Sequence, residues 1–342
     1  IKEADMEKVL VTGGSGFIAL HCIDQLLEKG FMVRTTIRSE SRKDEIYKAM
    51  DKYPNLDQNL EFHICDLLED EGWDAAVHSC DYVLHVASPF ILEVPSDEEI
   101  LIRPAVDGTL RVLNACKKNN IKKLVLTSSV AAIAYGHTQE KTFDESDWSN
   151  IADDSDITPY AKSKTLAERV AWDFMNNLTD DEKFDFTVIN PVGVFGPMLT
   201  RDIGTSNSLV QRLISGEMPA CPATHLGYVD VRDVAKAHIF SMLNSSTNDK
   251  RIIVSESEMF FVDVGRILNE AGFEKSPTKQ MPNWLVKVFA LFIKDLSGVT
   301  KSLGKRVDTD KSLAKSLFDW EYISAKDSVI DTANQLSSFS SK

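Results

Sequence analysis

Residues 9–19, Val-Leu-Val-Thr-Gly-Gly-Ser-Gly-Phe-Ile-Ala, decide the fold of this chain. An apolar run ends in a cluster of glycines, and beyond Gly16 the apolar residues recur at helical spacing up to Gly30. This pattern predicts a strand, a tight turn and a helix. Glycines there let a pyrophosphate approach backbone amide groups at the positive end of the helix dipole. The stretch predicts a dinucleotide-binding turn rather than a plain connector, although Ala19 replaces the third glycine of the usual fingerprint.

The same alternation of strand and helix continues to residue 190. Runs of β-branched residues predict strands over 31–38, 60–65, 82–87, 123–128 and 184–190. Helical periodicity covers 42–50, 69–79, 98–118, where Pro104 is expected to interrupt the helix, and 159–178. Such alternation is typical of an α/β fold with a doubly wound parallel sheet of the Rossmann type, in which ligands bind beyond the carboxyl ends of the strands.

Glycine and proline residues break this rhythm after residue 190, where only a short helix over 208–214 is predicted. The sheet pattern returns with a strand at 228–231, a helix at 234–243 and a strand at 251–255. Helical stretches follow at 261–271, 282–296, 309–317 and 326–336. We therefore expect a nucleotide-binding domain from 6–190 plus 228–256. A smaller, interleaved substrate-binding lobe would take 191–227 plus 257–342.

Composition narrows the classes of function. A formal net charge of −14 argues against nucleic acid as a partner. No apolar run approaches the roughly 20 residues of a membrane-spanning helix, and the seven histidines lack the spacing of metal ligands. The five cysteines form no CxxC pair, which favours a reducing compartment, and no signal-peptide pattern precedes the first predicted strand. We expect a cytoplasmic monomer or homodimer that acts on a small molecule, without membrane or metal.

Residues 158–164, Thr-Pro-Tyr-Ala-Lys-Ser-Lys, carry the first sign of catalysis. Thr158 is a candidate helix N-cap, and Tyr160 and Lys164 would project from the same face one turn apart. The lysine ammonium is expected to lower the pKa of the phenol, ordinarily about 10, so that Tyr160 becomes a usable proton shuttle. By spacing alone, a half-buried tyrosine beside a solvated lysine is the commoner explanation.

A second sign is a row of hydroxyl residues, Thr127, Ser128 and Ser129, at the end of the predicted strand 123–128 and directly after it. These hydroxyls fall on the side of the sheet where the glycine turn is expected, and Ser129 is placed to hydrogen-bond a carbonyl oxygen. Hydroxyls at strand ends also satisfy the backbone of turns. The glycine turn, the serine and the tyrosine–lysine pair reinforce one another.

Over nearly its whole length the sequence resembles the extended short-chain dehydrogenases/reductases of the dihydroflavonol-reductase-like group, and within it the yeast NADPH-dependent reductases of methylglyoxal and isovaleraldehyde. The matching segments are 12–19 (Thr-Gly-Gly-Ser-Gly-Phe-Ile-Ala), 85–90 (His-Val-Ala-Ser-Pro-Phe), 125–129, 160–164, 190–197 and 228–238. The resemblance implies a catalytic triad. Tyr160 would protonate the substrate oxygen, Lys164 would hold the nicotinamide ribose and tune Tyr160, and Ser129 would orient the carbonyl.

The resemblance also implies the contacts of the cofactor and the substrate. The phosphates would lie on the glycine turn, made by Thr12, Gly13, Gly14, Ser15, Gly16, Phe17 and Ile18. The other cofactor contacts would be Asp66 and Leu67 beside the adenine, Ala87 and Ser88, and then Pro191, Gly193, Val194 and Ser206 around the nicotinamide and phosphate parts. The segments expected to face the nicotinamide, 88–90, 130–133 and 192–198, offer few hydrogen-bond donors, which predicts a compact, mostly apolar substrate pocket. The predicted substrate contacts are Pro89, Phe90, Ser129, Ile133 and Tyr160.

The end of the second predicted strand selects the cofactor. NAD enzymes place Asp or Glu there, whereas this strand ends in Arg38, with Arg42 and Lys43 following. These cations suit the 2′-phosphate of NADP(H), although basic residues at this place can also be plain surface charge.

We expect an NADPH-dependent carbonyl reductase of small or medium aldehydes and ketones. A sugar-nucleotide epimerase or dehydratase, which shares the fold and the tyrosine–lysine pair, is one alternative, and a nucleotide-sensing protein without turnover is another. A dihydroflavonol or cinnamoyl-CoA type of reductase is less favoured. Ala134 stands where the dihydroflavonol reductases carry asparagine, and residues 156–159 replace an aromatic-rich stretch of the cinnamoyl-CoA reductases.

Overall fold

A seven-stranded parallel sheet forms the centre of the computed structural model, which describes residues 6–89, 97–152, 157–291, 300 and 302–340. The strands are β1 (Lys8–Val11), β2 (Met32–Ile37), β3 (Leu60–Ile64), β4 (Tyr82–His85), β5 (Lys123–Thr127), β7 (Asp185–Pro191) and β10 (Lys250–Val254). Their order across the sheet is β10-β7-β5-β4-β1-β2-β3. The chain reverses its direction of progress across the sheet at β1, which lies between β2 and β4. The predicted doubly wound α/β fold is thus confirmed, and the switch point where such sheets bind ligands lies at the glycine turn.

Helices cover both faces of this sheet. On one face α1 (Phe17–Glu28), α2 (Lys43–Ala49) and α8 (Val231–Leu243) pack around a core that includes Ile23 and Val234. On the other face α4 (Trp73–Val77), α5 (Glu99–Asn119) and α6 (Pro159–Asn176) pack around a core that includes Val112 and Phe186. A one-turn helix, α3 (Leu56–Asn59), precedes β3.

Three predicted elements differ from the structure. Helix α5 runs unbroken through the buried Pro104, although a proline at this position removes one backbone N–H donor from the helix. The helix predicted over 69–79 is reduced to Trp73–Val77, since Gly72 precedes it with φ of +89°, outside the helical region. The helix predicted over 309–317 begins at Ser312, because Asp308–Thr309 forms a strand, β12, that pairs with β6 (Thr142–Phe143).

A second, three-stranded sheet consists of β8 (Gly193–Phe195), β9 (His225–Asp230) and β11 (Ser257–Phe260), in the order β11-β9-β8. Strands β8 and β11, like β6 and β12, were not predicted from the sequence. Helices α7 (Thr205–Ser215), α9 (Phe261–Glu270) and α12 (Ala325–Ser340) share a core with it, while α11 (Ser312–Leu317) packs on the core of the main sheet. Strand β9 leads directly into α8, so the two sheets interleave along the chain, and the division into domains at the expected boundaries stays a prediction.

The helix predicted over 282–296 is described as α10 (Asn283–Phe289), and residues 292–299 lie outside the described part. Among the described residues, no helix combines the length and apolar character needed to cross a bilayer. The described ranges likewise hold no group of three or more His, Cys, Asp or Glu placed to bind a metal ion. All five cysteines are buried and unpaired.

Candidate active site

The glycine turn after β1 is too tightly enclosed for side chains. Gly13 has φ of +71°, and a Cβ atom there would lie 3.0 Å from the Cβ of Ala87. A Cβ on Gly14 would lie 2.1 Å from Oγ1 of the buried Thr35. The backbone N–H of Gly13 donates to Oγ1 of Thr36 at 2.9 Å, which anchors the turn to β2. Glycine is therefore required because the turn is wedged between the ends of β2 and β4.

The N-terminus of α1 fits a phosphate. Gly16 is its N-cap residue, and within the described chain no side chain caps the helix and its first turn contains no acidic residue. The first amide groups, at Phe17 and Ile18, thus combine with the positive end of the helix dipole to favour an anion. Gly204, at the N-cap of α7, would bring a Cβ within 3.6 Å of the Cβ of Phe17, so Ser206 in the first turn of α7 lies near the glycine turn.

Thr12 ties the end of β4 to the glycine turn. Its Oγ1 accepts the N–H groups of Val86 at 3.0 Å and Ala87 at 2.9 Å, so its own hydroxyl donates to Nδ1 of His85 at 2.8 Å. Burial lowers the pKa of His85 to about 3, which keeps its ring neutral. The predicted cofactor residues Ala87 and Ser88 are therefore held beside Gly13. His85 is not among the predicted site residues, although it begins the motif 85–90 that carries the family resemblance.

Ser129 and Tyr160 meet where β5 and α6 converge. Ser129 caps a short 3-10 helix (Val130–Ala132), with its Oγ accepting the N–H of Ala131 at 3.1 Å, and its hydroxyl also hydrogen-bonds the Tyr160 phenol. Thr158 is the N-cap of α6, as predicted, and its Oγ1 accepts the N–H of Ala161 at 3.2 Å. This cap fixes the first turn of the helix, which carries Tyr160.

Lys164 completes the cluster from the next turn of α6. Its Nζ lies 5.9 Å from the centroid of the Tyr160 ring and donates to Oγ of Ser88 at 2.8 Å. The expected solvated lysine is instead buried, and burial lowers its pKa to about 8. One narrow cavity is lined by Lys164 together with His85, Ser88 and Leu67. The structure thus brings together the three predicted catalytic residues and Ser88, a predicted cofactor contact.

The expected lowering of the Tyr160 pKa is wrong for this structure. Burial raises the pKa of Tyr160 to about 12, and the hydrogen bond from Ser129 offsets only part of that rise. The predicted lowering considered only the charge of Lys164, whereas removal of the phenol from water disfavours the phenolate and outweighs that charge. Tyr160 therefore keeps its proton at neutral pH, which is the state that a proton donor requires.

The predicted cations lie at the end of β2, and two of them have acidic neighbours. Arg42 pairs with Glu45 and approaches Asp202 at 3.6 Å, and Lys43 pairs with Glu40 at 2.5 Å. Arg38, the residue directly after β2, is exposed, and the described residues provide no ion pair for it. A 2′-phosphate fits this cluster of three cations, with Arg38 the most available of them.

The remaining predicted site residues differ in their position and burial. Asp66 lies after β3, and its side chain accepts a hydrogen bond from the N–H of Leu68 at 2.9 Å. Pro191 is the last residue of β7, and Gly193 and Val194 are the first two residues of β8. Ile133 is fully buried in the core, so its contact with substrate stays a prediction, as does that of the half-buried Pro89. Phe90 lies outside the described residues.

A buried ion pair behind the triad also escaped the sequence analysis. Glu168, one turn after Lys164 on α6, pairs with Arg251 of β10, although 83 residues separate them in the chain. Its other partners include the hydroxyl of Ser128, 2.5 Å away. The i+4 spacing from Lys164 was the only sequence signal for this residue, because nothing local identifies Arg251 as its partner.

Comparison with known proteins agrees with this geometry. The model of the NAD dependent epimerase/dehydratase family matches residues 9–255. The chain is 33% identical to the NADPH-dependent methylglyoxal reductase GRE2 of Saccharomyces cerevisiae, over 97% of this chain and 98% of that protein. It is 37% identical to the cinnamoyl-CoA reductase CAD2 of Medicago truncatula, over 80% of this chain and 82% of that protein.

A solved structure extends the likeness to three dimensions. The crystal structure of the yeast methylglyoxal/isovaleraldehyde reductase Gre2 complexed with NADPH superposes with a TM-score of 0.82 at 31% identity, covering 98% of this chain and 99% of that one. The chain therefore belongs to the NAD dependent epimerase/dehydratase family, among the extended short-chain dehydrogenases/reductases that its motifs resemble.

Proposed function

We propose that this NADP-dependent oxidoreductase reduces small or medium aldehydes and ketones, of the methylglyoxal, branched or aromatic type, to alcohols. The observation that carries the proposal is the joining of Ser129, Tyr160 and Lys164 at the carboxyl ends of the strands, beside the glycine turn. The yeast relative named above, an NADPH-dependent methylglyoxal reductase whose structure was solved with NADPH, supports the choice of cofactor and reaction.

In the proposed reaction the chain's own residues bind and polarise the carbonyl group. When bound, NADPH supplies the hydride that adds to the carbonyl carbon. The hydroxyls of Ser129 and Tyr160 would hydrogen-bond the carbonyl oxygen, and Tyr160 would donate the proton that completes the alcohol. The high pKa of Tyr160, about 12 before ligands bind, keeps this proton in place until negative charge develops on the substrate oxygen.

Lys164 would act on both ligands. Its Nζ already donates to Ser88, a predicted cofactor contact, and its positive charge beside the Tyr160 ring would stabilise the phenolate left after proton transfer. The amide groups at the start of α1 would hold the pyrophosphate, and Arg38, Arg42 and Lys43 would hold the 2′-phosphate.

Replacement of Tyr160 by phenylalanine tests the proposal. The ring and its packing stay, whereas the proton is lost, so turnover of methylglyoxal should fall by a factor on the order of 10² or more while NADPH still binds. The matched control is Tyr322→Phe. Tyr322 is a partly buried tyrosine whose hydroxyl oxygen is buried and, within the described residues, has no hydrogen-bond partner. A Tyr160→Phe variant with near wild-type turnover would refute the assigned role.

A substrate panel separates the proposed activity from the alternatives. Methylglyoxal, isovaleraldehyde, dihydroquercetin, cinnamoyl-CoA and UDP-galactose would be compared by kcat/KM, with NADPH consumption followed by absorbance for the reductive substrates. We expect the small aldehydes to lead, because the predicted lining segments at 130–133 and 192–198 are mostly apolar and a sugar nucleotide or coenzyme A needs several buried hydrogen bonds. A higher kcat/KM for UDP-galactose or cinnamoyl-CoA contradicts this choice of substrate.

A further inference from the structure

Glu168 lies fully inside the protein, directly behind the predicted catalytic residues, and is 1% exposed. Its Oε2 accepts hydrogen bonds from the hydroxyl of Ser128 at 2.5 Å and from Nδ2 of Asn190 at 2.7 Å. Its Oε1 accepts from Nε1 of Trp172 at 3.3 Å and pairs with Arg251. Four donors thus meet this buried side chain, which offsets the cost of its removal from water.

These contacts lead to the backbone of the predicted catalytic serine. Asn190 bridges Glu168 to the active site, because the same Nδ2 also donates to the carbonyl oxygen of Ser129 at 3.1 Å. Ser128 is held at its side chain by Glu168 and at its N–H by the carbonyl of Ile189, 2.8 Å away. Glu168 therefore holds the strand end that presents Ser129 to Tyr160 at two points, directly at the side chain of Ser128 and through Asn190 at the carbonyl of Ser129. The backbone of β7 supplies a third hold, independent of the carboxylate.

Glu168 is also the charge that faces Lys164. It lies one turn further along α6 and lines the same cavity. Within the part of the chain that the structure describes, the other titratable groups around Lys164 are His85 from β4, which is neutral, and Tyr160, which is protonated at neutral pH. From α5 the cavity receives Pro104, Ala105 and Thr109, and from β5 and its end Leu126, Thr127 and Ser128, none of which carries charge. Glu168 opposes the effect of burial and raises the pKa of Lys164.

We propose that Glu168 is a positioning residue of this active site, whose carboxylate holds the Ser128–Ser129 strand end in place and supplies the counter-charge for Lys164. Arg251 has a supporting role. Its guanidinium stacks on the ring of Trp148, with Cζ 3.8 Å from the ring centroid, and its Nη1 donates to the carbonyl of Glu145 at 2.9 Å. The Glu168–Arg251 ion pair therefore anchors β10 and the loop at 145–148 behind the predicted triad. The catalytic part of this inference rests on the proposed function.

The decisive measurement is the titration of Lys164 in the protein without nucleotide, followed by NMR of lysine labelled with 13C at the ε position and assigned with Lys164→Met. Glu168→Gln keeps the size of the side chain and removes its charge. We expect the pKa of Lys164 to fall by about one unit in this variant. Loosening of the structure would let water reach Lys164 and raise its pKa, so a fall is specific to a lost counter-charge.

Two further variants make the test independent of folding damage. Glu168→Gln combined with Arg251→Met leaves no unpaired buried charge and should also lower the Lys164 pKa, by less, because the repulsion from Arg251 is lost as well. Trp172→Phe removes one hydrogen bond to Glu168 but leaves its charge, and should leave the Lys164 pKa unchanged.

Enzyme assays give the second readout. With NADPH saturating, Glu168→Gln should lower kcat for methylglyoxal roughly 10- to 100-fold through misplacement of Ser129, with a smaller change in the Kd of NADPH. An unchanged or raised Lys164 pKa in both charge-removing variants, or a wild-type kcat in Glu168→Gln, would overturn the inference. If the NMR shifts occur as expected but the wild-type protein reduces no carbonyl compound, the proposed function is refuted, and the counter-charge for Lys164 stands.

Discussion

Replacing Lys164 by methionine should stabilise the folded protein while abolishing its function. Lys164 is buried, and its pKa is lowered from 10.5 to about 8. Each pKa unit corresponds to about 1.4 kcal/mol, so holding this ammonium inside the protein lowers the free energy of unfolding by about 3 kcal/mol at neutral pH. Methionine has a similar length and fills the same apolar space without a charge.

The stability gained by Lys164→Met should depend on pH, because the folded and unfolded chains bind different numbers of protons at high pH. Below pH 8 the lysine is protonated in both the folded and the unfolded chain, and the folded state bears the whole penalty. Between about pH 8 and 10.5 the unfolded chain binds more protons than the folded one, so wild-type stability rises with pH. The advantage of Lys164→Met should therefore be about 3 kcal/mol at pH 7 and shrink to about 1 kcal/mol at pH 10. Loss of the hydrogen bond to Ser88 reduces both values by about 1 kcal/mol.

Urea denaturation at the two pH values, without nucleotide, measures this difference. With an m-value of about 3 kcal/mol per molar, a gain of 2 to 3 kcal/mol moves the midpoint upward by somewhat less than 1 M. The matched control is Lys315→Met, which removes an exposed lysine and should change stability by less than about 0.5 kcal/mol at either pH. A Lys164→Met protein that is less stable than wild type at pH 7, or equally stabilised at both pH values, would refute the reasoning.

Three other outcomes follow from the structure. Gly14→Ala should lower the free energy of unfolding by about 1 to 3 kcal/mol in urea melts, because its Cβ would lie 2.1 Å from Oγ1 of Thr35. Gly30→Ala has no heavy atom of the described residues within 4 Å of its Cβ and should lower that free energy by only about 1 kcal/mol, through its positive φ. Equal losses in the two variants would contradict this account. Thr158→Ala removes the N-cap of α6 and should lower the unfolding free energy by about 1 kcal/mol, and an unchanged midpoint would mean that the cap is dispensable. Arg38→Asp should weaken NADPH binding at least about tenfold in fluorescence titrations while NADH binding holds or improves, and an unaltered NADPH Kd would remove Arg38 from the 2′-phosphate site.

Local patterns in the sequence were sufficient for the outline of the fold. The five strands predicted between residues 31 and 190 occur in the main sheet, within about two residues at each end, and so does the strand predicted before the glycine turn. The reason is that alternating strands and helices around a glycine turn leave little choice of topology. Helix α6 could also be predicted from local sequence, because its N-cap, Thr158, directly precedes it. The spacing of Tyr160 and Lys164, at i and i+4, then follows from helix geometry alone. Strands of two to four residues, such as β6 and β12, were missed because only their distant partner gives them hydrogen bonds.

The electrostatic state of the site was decided by tertiary structure. From sequence, Lys164 was a neighbour that would lower the pKa of Tyr160; in the fold, burial raises the pKa of the tyrosine and lowers that of the lysine. Desolvation depends on what packs over a group, and here the covering segments come from distant parts of the chain. The hydrogen bond from Lys164 to Ser88 spans 76 residues, and the pair of Glu168 and Arg251 spans 83. The sequence alone determined which chemical groups are present and on which elements they lie, whereas their charges and mutual distances follow only from the packing of those elements.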